Sequence, residues 1–414
     1  MSMFAPLRHP AFRLLSIGRT VNTLGNTFAP IALAFAVLDL TGSASDLGLV
    51  VGARTIVNVV FLLFGGVLAD RMPRHLLMVG ASALAAVTQG AIATLVLTHT
   101  ATVPLLIGLS AVNGMVGALA MPASAAILPQ TVPPDERQQA NALNRLFFNA
   151  AAIIGAPVAG LVVATVGPGW GIVVDAVTFV LAGICFAFLK VPAHVEPAQR
   201  RSILADLATG WGEFRSRTWL WVVVAGFCVL NASWGGGLYV LGPTVADDTI
   251  GRRAWGLVVA AQTIGMIIGA LVAMRLRLHR MLFFGTASVG LLALPILALG
   301  VAPHLVVLVL AAFLAGLGLE QFGVAWETTM QEHIPAEKLA RVYSYDMVGS
   351  FVAIPIGEIV IGPIANAVGV RATLIGAAAL VALAVLGMLS SRDVRQLRHR
   401  LAPRPATAME ELPA

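Results

Sequence analysis

The 414 residues are 58% hydrophobic and 11% charged, against about 25% charged in a soluble globular domain, so the chain cannot dress a water-facing surface of its own length. Each bilayer crossing takes roughly 20 apolar residues, because backbone polar groups must pair within their own segment where water is absent, and the apolar length suits about twelve crossings. The net charge of +6 sits in short arginine clusters between apolar stretches; it reads as a topology signal, and no nucleic-acid partner is expected.

Apolar runs between breakers predict spanning helices over 12–38, 47–68, 75–97, 103–127, 140–165, 170–189, 218–241, 254–274, 281–300, 304–328, 342–366 and 370–390. The first, preceded by Arg8 and Arg13, is too long for the apolar core of a signal peptide and is expected to be retained. Cys185 and Cys228 fall within spans, with neither a C-x-x-C pattern nor a histidine partner, and are expected to pack. With the N-terminus inside, twenty of the 26 Lys and Arg residues fall on the inner side. Three (Arg252, Arg253, Arg371) fall outside, and three (Arg19, Arg54, Arg145) lie within helices. That asymmetry places both termini in the cytoplasm.

The two halves match at an offset of 202 residues: Pro133 with Pro335, Asp135 with Glu337, Asn144 with Asp346, Gly155 with Gly357, Gly160 with Gly362 and Gly167 with Gly369. Six crossings return the chain to the same side, so the halves share one orientation and form a parallel repeat. The expected fold class is an all-α membrane protein with twelve transmembrane helices in two parallel-repeat six-helix bundles. Its expected units are an N-terminal bundle at 1–189, a cytoplasmic connector at 190–217, a C-terminal bundle at 218–390 and a disordered cytoplasmic tail at 391–414.

Gly66-Val67-Leu68-Ala69-Asp70-Arg71-Met72-Pro73-Arg74, between the second and third helices, resembles the G-x-L-A-D-R-x-G-R loop motif of the major facilitator superfamily, with Pro73 replacing a glycine. Thr41-Gly42-Ser43, Pro122-Ala123 with Leu128-Pro129, and Trp326 to Gln331 before Ile334-Pro335 are similar to the bacterial branch that holds enterobactin exporters and macrolide-efflux proteins. Gly155-Ala156-Pro157-Val158-Ala159-Gly160 resembles the G-P-x-x-G-G motif of superfamily antiporters, with Ala156 and Ala159 replacing two glycines. The resemblance implies the major facilitator fold, alternating access, export and a place in the bacterial inner membrane. Two positions depart from it: Asn26 stands where many members carry an acid, and Ser110 where drug antiporters carry an arginine. The second copy of the loop keeps Arg275, Arg277 and Arg280 but has Met274 in the place of Asp70. Asp70 is therefore either a cap of its own helix or, with Gly66, Arg71 and Arg74, a cytoplasmic gate. Gly155, Pro157 and Gly160 serve either close packing or a gate.

A charge at the bilayer centre costs about 2.5–3.5 kcal/mol on insertion scales, so such residues turn inward and mark function. A rise of about 1.5 Å per residue puts Arg54, Asp175 and Glu358 in the outer third, Arg19 and Glu320 in the inner third and Glu327 near the inner surface. Arg54, Asp175, Glu320 and Glu358 are the proton-coupling candidates. Protonation would break a pairing of Arg54 with Asp175 or Glu358, and Glu320 lies seven residues from Glu327 on nearly the same helix face. Permanent ion pairs that hold helices together are the alternative. Glu327 and Asp346 suit pairing or capping, and Arg145 suits a surface anchor or an acid's partner. Arg19, Asn22, Asn26, Asn58, Asn113, Asn231 and Trp234 are candidates for a polar central cavity, although amides also bond helices in lipid, at about 0.6 kcal/mol each.

A mostly apolar cavity with few directed polar groups suits an amphipathic or lipophilic solute. The expected function is export of a small amphipathic molecule, such as a drug, antibiotic or siderophore-like compound, as a proton antiporter. The rival is a proton-coupled symporter importing a small metabolite, since the fold works in either direction. No P-loop, H-E-x-x-H or suitably placed G-x-S-x-G occurs, so neither catalysis nor an ATP-driven step is expected. No cofactor or metal is expected; the expected partners are protons, a small-molecule substrate and the lipid bilayer, with the chain a monomer.

Overall fold

The computed structural model describes residues 4–71, 73–189, 211–276 and 278–398, without the side chains of 62–71, 74 and scattered positions in 121–138 and 336–344. Twelve helices there are long and apolar enough to cross a membrane. They are α1 (Pro10–Thr41), α2 (Ala44–Arg71), α3 (Arg74–Leu97), α4 (Val103–Ile127), α5 (Arg137–Val166) and α6 (Pro168–Ala187). The second set is α7 (Thr218–Asp248), α8 (Arg252–Arg275), α9 (Met281–Val301), α10 (Leu305–His333), α11 (Ala336–Phe351 continued by Ile354–Val368) and α12 (Val370–Ser390). No strand occurs among the described residues. Most of the expected connector, 190–210, and the tail beyond 398 lie outside them.

Local chemistry sets the turns. Gly42, at φ 64°, ends α1 in the left-handed region, its N–H donating to the Leu38 carbonyl at 2.8 Å. Ser43 then starts α2 by accepting the Asp46 N–H on its Oγ at 3.2 Å. Gly167 and Gly369, 202 residues apart, both take positive φ (97° and 90°) between the last two helices of each half.

Three elements run differently from the sequence expectation. α7 continues through a π-helical stretch, Gly235–Val240, to Asp248, because its three glycines loosen the helix without ending it. α10 runs on to His333, past the expected end at 328, and Glu327 on it is exposed. α11 is interrupted at Val352 and Ala353, where Pro355 removes the N–H that the Phe351 carbonyl would need. Beyond α12, where the sequence predicts disorder, Arg392–Gln396 is a short helix whose Val394 is buried and turned back onto the core.

Within each half the same helices pair: α1 with α5 and α6, α2 with α4, α3 with α4 and α6, repeated by α7 with α11 and α12, α8 with α10, and α9 with α10 and α12. The halves meet through α5 on α8 and α2 on α11, the two contacts that the repeat exchanges. Equivalent glycines allow them: Gly160 faces the backbone of Arg252 and Gly256, Gly362 that of Ala44 and Ser45, and neither has room for a Cβ. These meetings lie toward the end of the bundle opposite the termini, called here the distal end.

Candidate functional site

A cavity of about 640 Å³ opens inside the N-terminal bundle, and its described lining comes from α1 to α6 and the residue after α4. It runs from Leu128, Asn141 and Phe186 near the terminal end to Asn26, Arg54 and Asn113 deeper in the bundle. Arg19, Asn22 and Asn26 enter it from one face of α1, as their spacing of three and four residues dictates. Phe148, Phe179 and Phe186 supply aromatic wall.

The Arg19 guanidinium is held by neutral groups. Nε donates to Ser124 Oγ at 3.1 Å, Nη1 to Asn144 Oδ1 at 3.2 Å, and Nη2 to Ser124 Oγ at 2.9 Å and to the Ser124 carbonyl. Among the described residues, no ion pair within 4.0 Å joins it to a carboxylate. One turn on, Asn22 Oδ1 is buried with no hydrogen-bond partner among the described residues.

At the inner limit of the cavity, Arg54 of α2 faces two carboxylates, Asp175 of α6 and Glu358 of α11. Asp175 is fully buried and Glu358 is 2% exposed. Gln89 of α3 donates to Asp175 Oδ2 at 2.5 Å, while Asp175 Oδ1 and Glu358 Oε2 have no hydrogen-bond partner among the described residues. None of the ion pairs within 4.0 Å among the described residues joins Arg54 to either acid. The three form a loose buried cluster that spans the two halves, since Glu358 belongs to the C-terminal half and packs where Gly48 and Gly235 approach it.

The other sequence candidates separate from this site. Asn58 donates to the Gly114 carbonyl at 3.0 Å, joining α2 to α4, and Asn231 donates to the Ser350 carbonyl at 2.9 Å, joining α7 to α11. Trp234 is buried in the C-terminal core. Asn113 both lines the cavity and bonds Thr88 Oγ1 at 3.4 Å. Glu320 is half-buried beside Gly269 of α8 and faces Arg145 of α5 across the halves. Gly155 packs against Thr27, and Gly160 against α8 beside Pro157. The side chains of Asp70, Arg71 and Arg74, and the surroundings of Gly66, lie outside the described residues. Asp346 accepts the Trp326 Nε1–H at 2.9 Å, which ties α10 to α11.

Sequence reasoning missed Gln89, Ser124 and a distal cluster. Gln89 carries a signal, as an amide in the middle of the apolar third helix. At the distal end Arg252, at the start of α8, binds Asp39 at the end of α1 through both terminal nitrogens, with Nη1 to Oδ2 at 2.8 Å. It also binds Asp247 at 2.7 and 2.9 Å and lies 4.9 Å above the Phe35 ring. Asn366 of α11 reaches Ser45 Oγ of α2 at 3.1 Å. Among the described residues, no group of three His, Cys, Asp or Glu is placed to hold a metal.

Comparison with known proteins agrees with this architecture. A family profile of the Major Facilitator Superfamily matches residues 15–357. The multidrug efflux pump Tap of Mycolicibacterium fortuitum is 26% identical over 418 residues, covering 96% of this chain and 99% of that protein. The enterobactin exporter EntS of Shigella boydii is 26% identical over 273 residues, 65% of this chain and 64% of that protein. Among solved structures, the nucleoside transporter NupG superposes with a TM-score of 0.76 at 13% identity, over 92% of this chain and 98% of that one. A bacterial homologue of the human lysosomal transporter Spinster, inward-facing and unoccupied, gives 0.74 at 14% identity over 95% and 98%. The chain belongs to the Major Facilitator Superfamily and is a multi-pass membrane transporter.

Proposed function

We propose that this transporter exports a small amphipathic molecule across the bacterial cytoplasmic membrane in exchange for protons, by alternating access between its two halves. The surplus of Lys and Arg at the terminal end supports a cytoplasmic location for both termini, and hence for the mouth of the cavity; the form described is then inward-facing. The relatives that are efflux pumps support export.

The observation that carries proton coupling is the buried cluster of Arg54, Asp175 and Glu358. In a medium that solvates charge poorly, one cation facing two acids favours a state in which one acid takes up a proton. A proton on Glu358 removes the charge that Arg54 attracts across the α2–α11 contact. Proton occupancy and closure of the distal end are thereby linked through one pair of groups. Glu320, facing Arg145 nearer the cytoplasmic side, is a second place where a proton would loosen contact between the halves.

The test is accumulation of a panel of dyes and antibiotics in cells with and without the gene, with and without a proton uncoupler. Expression is expected to lower accumulation of at least one compound, the uncoupler to restore it, and Asp175→Asn or Glu358→Gln to abolish the difference. Efflux that survives the uncoupler excludes proton antiport. Uptake driven by an inward proton gradient makes the protein an importer.

A further inference from the structure

Among the described residues lining the cavity, the charged ones are Arg19 and Arg54, and no acid lines it. The two cations differ in what balances them. Arg54 has Asp175 and Glu358 behind it, so its positive charge is met within the protein. Among the described residues, the partners of Arg19 are Ser124 and Asn144, both neutral. A guanidinium carries five N–H donors, and Nη1 makes a single bond, to Asn144, among the described residues. An unbalanced cation within a membrane span is costly to keep, and the low-dielectric surroundings amplify its attraction for an anion. Phe148, Phe179 and Phe186 line the same space, which gives a bound molecule an aromatic wall beside its charged end.

We infer that the cavity takes organic anions, molecules with an aromatic or apolar body and a carboxylate or similar acidic group that sits on Arg19, in preference to lipophilic cations. This rests on the cavity being the substrate site of the proposed exporter, and it narrows that reading from amphipathic molecules in general to acidic ones. Arg19 then works in two ways: it attracts the anion through a charge-assisted hydrogen bond, and it rejects a cation of the same shape by repulsion.

The test uses the full chain in lipid nanodiscs and two probes of matched shape, 2-naphthoate and 2-naphthylmethylammonium, with binding followed by calorimetry in the absence of any gradient. Naphthoate is expected to bind about tenfold or more tightly than the ammonium compound, the scale of one charge-assisted bond. Arg19→Gln removes this preference, and Arg19→Lys, which keeps the charge, retains most of it. Equal or tighter binding of the ammonium probe to the unaltered protein, or binding of neither, overturns the inference without any variant. A preference unchanged in a folded Arg19→Gln protein also overturns it. The exporter reading fails separately: naphthoate that binds through Arg19 but is never moved outward by expressing cells leaves this inference standing and removes that reading. Uncoupler-sensitive efflux confined to cationic dyes does the reverse.

Discussion

Gly114 shows how a residue without a side chain fixes a functional one. Its Cα lies against the backbone of Arg54, where a Cβ has no room, and its carbonyl accepts the Asn58 amide. Gly114→Ala must move α2 or α4, with an expected loss of about 1–3 kcal/mol, the usual scale of overpacking, read as a lower melting temperature in detergent together with reduced transport. Asn231 is the contrasting case, because its amide is spent on the Ser350 carbonyl. Asn231→Leu is expected to lose only about 0.6 kcal/mol and to leave transport unchanged; a selective loss of transport would instead make it a substrate contact. Arg54, Asp175 and Glu358 were legible as one layer of charge because charge is rare in lipid and helix rise fixes depth. Rotation of a helix about its axis is not written in the sequence with that clarity. The partnership of Gln89 with Asp175, the diversion of Asn58 and Asn231 into bonds between helices, and the neutral cradle around Arg19 all depend on it.

The distal cluster joins elements that are far apart in sequence: α1 through Asp39, α7 through Asp247 and α8 through Arg252. Asp39 is 42% exposed, so the pairing holds the distal face closed with no more than about 1 kcal/mol. Arg252→Gln is expected to raise the distally open population by up to about fivefold, measured as faster labelling of a cysteine placed at Ser45. Arg252→Lys, which keeps a cation between Asp39 and Asp247, is expected to retain most of the closure, and no change in labelling in Arg252→Gln would deny the cluster a gating role. The connector ends in a comparable attachment. Residues 211–215 are helical, Trp211 and Phe214 pack against Tyr345 of α11, and Glu213 pairs with Arg217 at 2.6 Å and with Lys338 at 2.8 Å. Those hydrogen bonds hold the Glu213 carboxyl below its ordinary range. A carboxyl depressed in the folded state stabilises fully above its unfolded pKa and loses that contribution only as pH falls through the lowered value. Amide exchange at 211–217 is therefore expected to gain nothing from loss of this pairing between pH 8 and pH 6, and to quicken in Glu213→Gln. At this scale the apolar runs located the twelve spanning helices, because length and hydropathy suffice for that, but neither the short helix Arg392–Gln396 nor the helical residues 211–215. The broken α11 and the prolonged α7 were not legible: a proline suits a first turn as well as a break, and three glycines read as an end where the helix only widens.

The whole molecule is two similar bundles joined where α5 meets α8 and α2 meets α11. The plan of two like bundles was legible from the 202-residue register, whereas the helices through which they meet were not. The confinement of the described cavity lining to the first bundle was not, because the repeat preserves helix pairings and turns while the lining residues differ between copies: Asn144 holds Arg19, and its counterpart Asp346 holds Trp326. The alternating access proposed above requires the distal contact between α2 and α11 to part once per cycle. The Ser45–Asn366 bond, at 3.1 Å, lies on that contact. Cysteines at these two positions, with Cys185 and Cys228 replaced by serine, can be joined by a short bifunctional reagent. The joined protein is expected to bind 2-naphthoate as the unjoined protein does, because the cavity lining lies between the terminal end and the Arg54 layer, away from this link, and to transport nothing until a cleavable reagent is cut. Transport that continues through the closed link would mean that the distal end does not open between α2 and α11, and binding lost on linking would mean that the probe enters from the distal side.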